Sequence, residues 1–481
     1  MKKVLVSLLL LVVMIFNIFA LAGCDIAGII GGGGKDEDLE GKTVINFYHT
    51  MGENLRTVLD EYIIEFNKLY PDIVIKHEQV GGYDDVREQI ATELTVGGQP
   101  NIAYCYPDHV ALYNLAYAVK TLDELIDSKE VITRADGTTE ILGLTDEQKA
   151  DFISAYYEEG RQFGDGLMYT MPLSKSTEVL YYNKTFFDKH GLEVPKTWDE
   201  LEALCKKIKD ELDPGSIPLG YDSEANWFIT MTEQLGTPYT SANEINGTHF
   251  HFNTPENRAF VERFRGWYQN GWVTTQEIYG AYTSALFVGT DKDGIRSYMS
   301  IGSSAGANHQ TPKDGSFEVG IAPIPQANPD KPKVISQGPS LCIFDTTGKN
   351  PDKHITDEEV KASWLFVKFL VTNVAFQADF SIASGYVPVI KSVNNDEYYK
   401  EEFLDKANGY AYTAALSVKV CLEQADAYYT SPAFNGSSTA RDEVGELLQA
   451  CLAFDAKEYP NAAKRIEELF GEAIDDCEYD Q

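Results

Sequence analysis

The sequence predicts an α/β protein with two lobes. Short apolar stretches typical of strands alternate with segments in which apolar residues recur every three or four positions, the spacing of a helix. This alternation begins at Thr43 and resumes at about residue 178, and no tandem repeat interrupts it. A chain of 481 residues has room for two or three domains of ordinary size. Alternating strands and helices of this kind form mostly parallel sheets with helices on both faces.

The N-terminal part of the predicted fold runs strand, helix, strand, helix, strand. The strands are TVINFYH at 43–49, DIVIKHEQV at 72–80 and NIAYCY at 101–106. Helical spacing predicts helices between them at Glu53–Leu69 and Asp84–Val96. Ligands of such sheets bind at the carboxyl ends of the strands. We therefore expect Tyr83, Tyr106 and Asp108 to lie near a binding site.

The second run of predicted elements follows the same pattern. EVLYYN at 178–183 has the composition of a buried strand. Helical spacing recurs in five further segments, which are Trp198–Glu211, Pro255–Gln269, Glu358–Phe380, Thr439–Phe454 and Ala462–Ile474. These elements supply the second predicted lobe.

The N-terminus has the features of an export signal. Two lysines precede an apolar run, Val4–Ala22, that ends in Leu-Ala-Gly before Cys24. This ending resembles the lipobox of bacterial lipoproteins, which predicts a signal peptide at 1–23 and acylation of Cys24. Residues 24–42 are rich in glycine and then in acids, which predicts a flexible linker. A plain membrane anchor stays open as the alternative, because the run is long enough to span a bilayer.

Charge and cysteine spacing exclude several classes of partner. The net charge of −34 argues against nucleic acid, whose phosphates attract basic surfaces. An anionic ligand would need a few well-placed cations. The six cysteines after Cys24 form no CxxC pair and have no histidine cluster beside them, so we expect no metal and no cofactor. One or two disulfides remain possible, and buried thiols are the alternative.

The stretch MPLSKSTEVLYYNKTFFDKHGLEVPKTWDEL at Met171–Leu201 resembles the extracellular solute-binding proteins of ABC importers, of the maltose-binding-like class. Five further stretches match in the expected order, namely FYHTMGENL, YMSIGSSAG, ISQGPSL, WLFVKFLV with ASGYVPVIKS, and FNGSSTARDEV. Together they cover nearly all of the chain after the linker. FYHTM, the GGY at 81–83 and STEVLYYNK at 176–184 resemble the glycerol-3-phosphate-binding subgroup most.

The resemblance implies a two-lobed periplasmic-binding-protein-like fold of type II, with a hinge and a ligand cleft between the lobes. It places residues 43–174 and 328–388 in lobe 1, and residues 175–327 and 389–481 in lobe 2. Crossings between the lobes are expected at Leu173–Leu180, Ala322–Pro329 and Pro388–Ser392.

The resemblance also implies ligand contacts. Residue by residue, they fall on Tyr83, Ser176, Ser303, Gly338, Tyr386 and Arg441. An expected acid after the third strand does not match cleanly, since Pro107 occupies its place and Asp108 follows. Lys175 stands where the family usually has a small polar residue. Each of these residues also has an ordinary structural interpretation, such as a turn serine or a core tyrosine.

Two residues have a physical argument of their own. Arg441 follows a turn and a predicted Ser or Thr N-cap, so it would lie near a helix N-terminus that attracts anions and would add a bidentate guanidinium. The alternative is a capped helix whose arginine pairs with a surface acid. Trp227, in SEANWF, would stack on a sugar ring or a glycerol backbone, or else belong to the core.

The sequence is therefore interpreted as a lipid-anchored, extracytoplasmic substrate-binding protein that delivers its solute to the transmembrane subunits of an ABC permease. We expect a monomer that binds a small carbohydrate or polyol phosphate, with a glycerol-3-phosphate-like solute favoured. A neutral mono- or oligosaccharide is the alternative ligand, and a receptor that feeds a sensor is an alternative role. A cell-surface glycoside hydrolase is the enzymatic alternative, although no GxSxG or HExxH motif occurs.

Overall fold

The structure is a computed structural model that describes residues 39–345, 355–405 and 410–479. The predicted signal peptide, Cys24 and nearly all of the predicted linker lie outside the described residues. The lobes described below belong to one unit that begins at Thr43.

A five-stranded sheet forms the first lobe. Its strands, in spatial order, are Ile73–Gln79, Thr43–His49, Ile102–Cys105, Ser340–Ile343 and Met171–Pro172. The first three run parallel, as predicted, and the fourth is antiparallel to both of its neighbours. Successive residues of a strand face opposite sides. Ile102 and Tyr104 thus join one hydrophobic cluster, whereas Ala103 and Cys105 join another.

Helices cover both faces of this sheet. They lie at Glu53–Leu69, Tyr83–Leu94, Pro107–Asn114, Asp123–Asp127, Asp146–Asp151, Ser154–Glu158, Asp357–Thr372 and Val374–Ser384. Two short strands, Val131–Thr133 and Thr139–Ile141, form a hairpin beside them. Phe66 packs edge-on against Phe366 with 5.1 Å between the ring centroids, which ties the first helix to the core.

A second five-stranded sheet forms the other lobe. Its strands, in spatial order, are Val273–Thr275, Leu219–Tyr221, Met299–Ser303, Glu178–Asn183 and Val319–Pro323. Leu180 packs under the outer helices, whereas Val179 and Tyr181 face the other side, where the core is continuous with that of the first lobe. Each sheet therefore has apolar contacts on both faces.

Most of the remaining elements pack on this second sheet or join the lobes, whereas Glu159–Arg161, Lys391–Asn395 and Glu397–Tyr399 pack against the first lobe. The helices are Lys184–His190, Trp198–Lys207, Glu224–Leu235, Pro255–Gln269, Gln276–Tyr279, Ser284–Val288, Glu397–Tyr399, Tyr410–Glu423, Ser437–Ala453 and Ala462–Tyr479. The π-helical turns are Ile208–Leu212 and Lys400–Leu404, and the 3₁₀ turns are Glu159–Arg161, Ser304–Gly306, Lys391–Asn395 and Ala425–Ala427. Two pairs of short strands complete the fold, Thr240–Ile245 with Thr248–Phe250 and Val334–Ile335 with Tyr428–Tyr429.

The predicted single helix Glu358–Phe380 is wrong in its continuity. The structure has two helices there, Asp357–Thr372 and Val374–Ser384, bent by 69° at a break. Asn373 has extended backbone angles and its side chain accepts a hydrogen bond from the amide of Phe376, so it ends the first helix and caps the second. Both helices are strongly apolar, which hid the break from the periodicity.

Two further findings concern membrane spans and cysteines. Over the described ranges, no single helix combines the length and the apolar composition needed to cross a membrane. The bent pair just described meets the criterion when its two helices are taken together, by length and composition alone. The six cysteines after Cys24 are all buried, and Cys105, Cys205, Cys342, Cys421 and Cys451 are free thiols in the structure, which agrees with the alternative of buried thiols.

Three segments meet where the chain passes between the sheets. The backbone of Lys175 bridges to Val387, and the backbone of Ser176 bridges to Gln337. Gly338 lies against the first segment, since a Cβ atom there would be 2.7 Å from the carbonyl oxygen of Ser174. We propose that the first crossing lies here, inside the expected Leu173–Leu180.

The second crossing lies later than the expected Ala322–Pro329. Residues 324–335 stay with the second lobe, because Ile324, Val334 and Ile335 are buried in its core and the amide of Gln326 donates to the carbonyl of Lys196. We propose a crossing near Ser336, so that residues 328–335 belong to lobe 2 rather than lobe 1.

The third passage is also displaced along the chain. Ser392 bonds to Asp151 of the first lobe, and Phe403 packs in the same cluster as the helices of that lobe. The helix Tyr410–Glu423 then packs against the strand Val319–Pro323 of the second sheet. We propose that the passage lies between these points rather than at Pro388–Ser392, and the other expected lobe limits stay predictions.

Candidate ligand-binding site

Two adjoining cavities lie beside the junction, between the lobes. The first has a volume of about 610 Å³ and the second about 1070 Å³, counting the open mouth of each. Tyr106 and Gln337 line both, so the cavities form one continuous cleft. Tyr106 follows a strand of the first sheet and Gln337 lies in the second crossing, which places the cleft at the carboxyl ends of the strands, as expected.

Stacked tyrosines form the first-lobe wall of the cleft. The ring of Tyr83 lies 4.2 Å from that of Tyr106 and 5.6 Å from that of Tyr104, nearly parallel in both cases. Burial raises the pKa of all three phenols, so they are neutral donors at neutral pH. Tyr106 lines both cavities, whereas Tyr83 supports it from behind. Tyr386 lines the second cavity.

Arg441 enters the first cavity from the second lobe. It lies in the second turn of the helix Ser437–Ala453 and donates a hydrogen bond to Oδ1 of Asn226. The predicted Ser or Thr N-cap is wrong: Gly436, with φ of +92°, is the N-cap, and it carries no side-chain cap. Ser437, which lines the same cavity, instead donates to the carbonyl of Phe434. The first turn of this helix therefore faces the cavity without a side-chain cap.

Carboxylates surround this arginine. Asp108 and Glu159 line the first cavity, and Asp222 lines the second. Burial raises the pKa of Glu159 and of Asp222 above the usual range. Within the part of the chain that the structure describes, Arg441 is the one arginine or lysine that lines either cavity. The cleft thus offers many hydrogen-bond acceptors and one fixed cation.

Two serine hydroxyls in the first cavity have no partner among the described residues. The Oγ atoms of Ser336 and Ser431 are buried, and neither makes a hydrogen bond within the protein. Buried polar atoms in folded proteins are nearly always paired, with protein or with water. These two hydroxyls are therefore suited to receive the polar groups of a ligand.

Trp227 does not line the cleft, so the expectation that it stacks on a ligand is wrong. Its side chain has no exposed surface. The indole lies between Tyr221 and Phe264, with ring centroids 4.7 and 4.1 Å away and nearly parallel planes. Both faces of the ring are thus covered by the core of the second lobe, which is the structural alternative given above for this residue.

The other predicted residues take three different positions. Ser176 and Ser303 line the second cavity, on strands or segments that pair beside the junction. Gly338 lines neither cavity; it has φ of +99° and allows two crossing segments to touch through their backbones. Asp108 lines the first cavity, as Arg441 does. Whether these residues contact a solute stays a prediction.

Several lining residues could hardly be identified from sequence patterns. Gln337 is next in sequence to Gly338, and Asn226 is next to Trp227. Only this adjacency to predicted site residues indicated that they could line the cleft. Tyr282, which is 66% exposed at the second cavity, had no signal of its own. Glu159 lies in a 3₁₀ turn that no pattern marked.

The cleft has the chemistry of a binding site for a polar, hydroxyl-bearing solute. Carboxylates, amides and hydroxyls supply directional hydrogen bonds, and tyrosine rings supply flat apolar contact. Over the described residues, no group of three or more His, Cys, Asp or Glu side chains is arranged to hold a metal ion.

Known proteins with similar sequences bind solutes. The maltotriose-binding protein of Pyrococcus abyssi is 25% identical over 372 residues, which is 75% of this chain and 69% of that protein. The sn-glycerol-3-phosphate-binding periplasmic protein UgpB of Escherichia coli K12 is 26% identical over 362 residues, which is 73% of this chain and 75% of that protein.

The fold agrees with these relatives. UgpB of Mycobacterium tuberculosis, solved in complex with glycerophosphocholine, superposes with a TM-score of 0.66 at 19% identity and covers 90% of this chain and all of its own. The predicted α/β, two-lobed periplasmic-binding-protein-like fold is thereby confirmed. Residues 61–405 match the family model, and the chain belongs to the bacterial extracellular solute-binding proteins.

Proposed function

We propose that this protein captures a small carbohydrate or polyol phosphate outside the cytoplasm and delivers it to an ABC permease. Family membership supports a binding role outside the cytoplasm, and the relatives are solute-binding proteins rather than enzymes. Their names include both a sugar and a glycerol phosphate, so the class of solute has to be argued from this chain's own cleft.

Arg441 is the observation that carries the phosphate proposal. It is the one cation among the described residues lining the cleft, and it lies by the start of a helix whose N-cap offers no side chain. Helix N-termini and guanidinium groups both favour phosphate oxygens. In a chain with a net charge of −34, such a local positive site is needed to hold an anion. A glycerol-3-phosphate-like solute fits this arrangement.

A neutral mono- or oligosaccharide is the second candidate. Asp108 and Asp222 are acceptors for sugar hydroxyls, and Tyr106, Tyr386 and Tyr282 offer aromatic surface along the cleft. With such a ligand, Arg441 would serve as a hydrogen-bond donor and its charge would matter little.

Calorimetry separates the two candidates. Wild-type protein is titrated with sn-glycerol-3-phosphate, glycerophosphocholine and maltotriose, and so are Arg441→Ala and a control, Arg258→Ala. Arg258 lies on a helix away from the cleft, 3.8 Å from Glu467. Loss of a charged, bidentate contact costs about 3 kcal/mol, so Arg441→Ala should bind a phosphorylated solute roughly 100-fold more weakly. Undiminished phosphate binding by Arg441→Ala would refute the phosphate proposal, and tight binding of maltotriose alone would establish the neutral one.

The same proposal includes membrane attachment. Acylation of Cys24 and a linker over residues 24–42 would hold a monomeric receptor at the membrane, free to turn its cleft towards solvent and then towards the permease. The predicted lobes would close over the solute by a hinge motion at the three-segment junction. A permease requirement for uptake would distinguish transport from sensing.

A further inference from the structure

Lys175 is the departure from the family pattern that the proposed function leaves unexplained. It lies in the first crossing, and its side chain has no exposed surface. Lysine is rarely buried so completely without a partner, because its charge loses hydration. A buried ammonium at the junction of the lobes therefore needs a specific account.

The contacts of Lys175 reach the other two segments that meet at the junction, around Gly338 and around Val387. Its Nζ donates to the carbonyl oxygen of Gly338 and to Oγ of Ser340, both at 3.0 Å. Its backbone amide donates to the carbonyl of Val387 at 3.0 Å, and its carbonyl accepts from the amide of Val387 at 2.7 Å. This one residue thus ties the first crossing to the second crossing and to the segment around Val387.

The remaining contact of the ammonium leads to the ligand cavity. Nζ forms an ion pair with Oε2 of Glu159, whose side chain is only 4% exposed. Among the described residues, Lys175 is the one charged partner of this carboxylate, and Glu159 lines the first cavity together with Asp108 and Arg441. An ionised carboxylate accepts up to about four hydrogen bonds, so Glu159 retains acceptor capacity towards the cavity.

Local packing holds Glu159 in this position. It begins the 3₁₀ turn Glu159–Arg161. A Cβ atom on the next residue, Gly160, would lie 2.3 Å from the carbonyl oxygen of Thr170, so only glycine lets the turn pack this closely on the strand that leads to the crossing. The amide of Tyr169 donates to the carbonyl of Gly160 at 2.9 Å. The carboxylate is therefore fixed by the turn as well as by the lysine.

We propose that Glu159 is a specificity-determining residue that accepts a hydrogen bond from a hydroxyl of the solute, and that Lys175 is the residue that positions it. The inference rests on the proposed function, since it assumes that the solute occupies this cavity. The inference places a further requirement on the ligand. The ligand must present a hydroxyl to Glu159 in the same cavity in which Arg441 binds another of its groups. A sugar or glycerol moiety meets this requirement.

Electrostatics explain why the lysine is needed. Burial raises the pKa of Glu159 and nearby Asp108 raises it further, whereas Lys175 lowers it. Arg441 lines the same cavity from the second lobe. Without Lys175, the pKa of Glu159 rises further, which favours the neutral acid, and a neutral acid has less capacity to accept hydrogen bonds than a carboxylate.

The test uses three variants, Lys175→Met, Glu159→Gln and the double variant that carries both changes. Removal of one partner of a buried pair is strongly destabilising, whereas removal of both is often tolerated, so the double variant guards against failure to fold. Lys368→Met is the matched control. Lys368 is 4% exposed and pairs with Glu140 at 2.7 Å, and neither residue lines the cleft. Calorimetry with sn-glycerol-3-phosphate and maltotriose is run from pH 5.5 to 9.

The proposal predicts a distinct pH profile for each variant. Glu159→Gln should weaken binding of whichever solute binds by at least about tenfold at every pH, which matches the loss of one charged hydrogen bond. Lys175→Met should show a similar loss near neutral pH and recover towards alkaline pH, as Glu159 ionises. The double variant should match Glu159→Gln, and Lys368→Met should keep wild-type affinity and profile.

Failure of this inference is distinguishable from failure of the proposed function. If wild-type protein binds and Arg441→Ala does not, but Glu159→Gln and the double variant bind as the wild type does, the role of Glu159 is overturned and the function stands. A Lys175→Met loss that does not change with pH would overturn the positioning role. If wild-type protein binds neither solute, the proposed function is overturned, and the recognition role of Glu159 with it.

Discussion

A buried acid at the start of the second sheet offers a sharp test of the electrostatics near the cleft. Glu178 follows the first crossing and is fully buried, and Tyr221 donates its hydroxyl to Oε2 at 2.8 Å. The other carboxylate oxygen has no partner among the described residues. Burial raises the pKa of Glu178 to about 8, although Tyr221, the nearby Asn226 side chain and the charge of Arg441 oppose the shift.

The sign of the pH effect follows from this raised pKa. The folded protein holds the proton of Glu178 up to a pH of about 8, whereas the unfolded chain releases it at about 4.5. The stabilising contribution is therefore complete below pH 4.5 and is lost as the pH rises towards 8. Because one pKa unit corresponds to about 1.36 kcal/mol, the free energy of unfolding at pH 7 is lower by up to about 3 kcal/mol than it is below pH 4.5.

Glu178→Gln removes this titration and keeps an oxygen that can accept from Tyr221. We expect the variant to match the wild type in stability near pH 4.5 and to exceed it progressively up to pH 8. Urea unfolding at five pH values measures the difference, and Glu262→Gln, on the exposed side of a helix, is the control. A stability difference that stays constant across this pH range would refute the argument that Glu178 is buried as a neutral acid.

Three further outcomes follow from other parts of the chain. Burial lowers the pKa of His49 to about 3, so protonation of this side chain disfavours the folded state. Between pH 7 and pH 5, the wild-type protein should therefore lose roughly 2 kcal/mol more free energy of unfolding than His49→Asn, as measured by urea unfolding. Gly338→Ala should destabilise the protein by at least about 2 kcal/mol, because it combines backbone strain with a clash at the junction. Gly247→Ala, which has a similar positive φ but open space, should cost clearly less in the same thermal unfolding series, and equal losses would argue against the clash. Cys24→Ser should shift the protein from the membrane fraction to the medium, and continued membrane attachment would contradict lipidation.

Local patterns predicted most of the regular structure. The helices Glu53–Leu69 and Pro255–Gln269 match their predicted limits, because each has a clear apolar stripe and a defined start. The helix predicted at Glu358–Phe380 failed at its middle, where both halves are so apolar that periodicity carries no signal. A single capping asparagine decides the break, and its side-chain bond cannot be inferred from hydrophobic spacing.

The crossings were harder to predict than the strands. Whether a loop remains with one lobe depends on long-range contacts, as for Val334, whose strand pairs with Tyr428–Tyr429 almost 100 residues further along the chain. Sequence patterns report local preference and do not report such pairings. The resemblance placed the second crossing at Ala322–Pro329, before a segment that in fact continues to pack on the second lobe.

The site residues divide along the same line. Arg441 could be singled out because a helix start and a guanidinium are both visible in the sequence. Trp227 could not be assigned, because its composition fits a stacking surface and a core equally well, and only packing between Tyr221 and Phe264 decides. Glu159 had no local signal at all, since its significance comes from a lysine on another segment.

Contacts at the rim of the cleft explain how a ligand can control closure. Arg87 of the first lobe lies 3.8 Å from Asp442 of the second, and the amide of Ala433 donates to the carbonyl of Gln162 at 2.8 Å. The ion pair is long and its aspartate is 60% exposed, and such pairs contribute only about 0–1 kcal/mol. In the proposed function, a solute held between Arg441 and the first-lobe wall would add contacts that exist only when the lobes are together, and this differential affinity would shift the equilibrium towards the closed state. Weak rim contacts therefore suit a receptor that has to open again to release its solute.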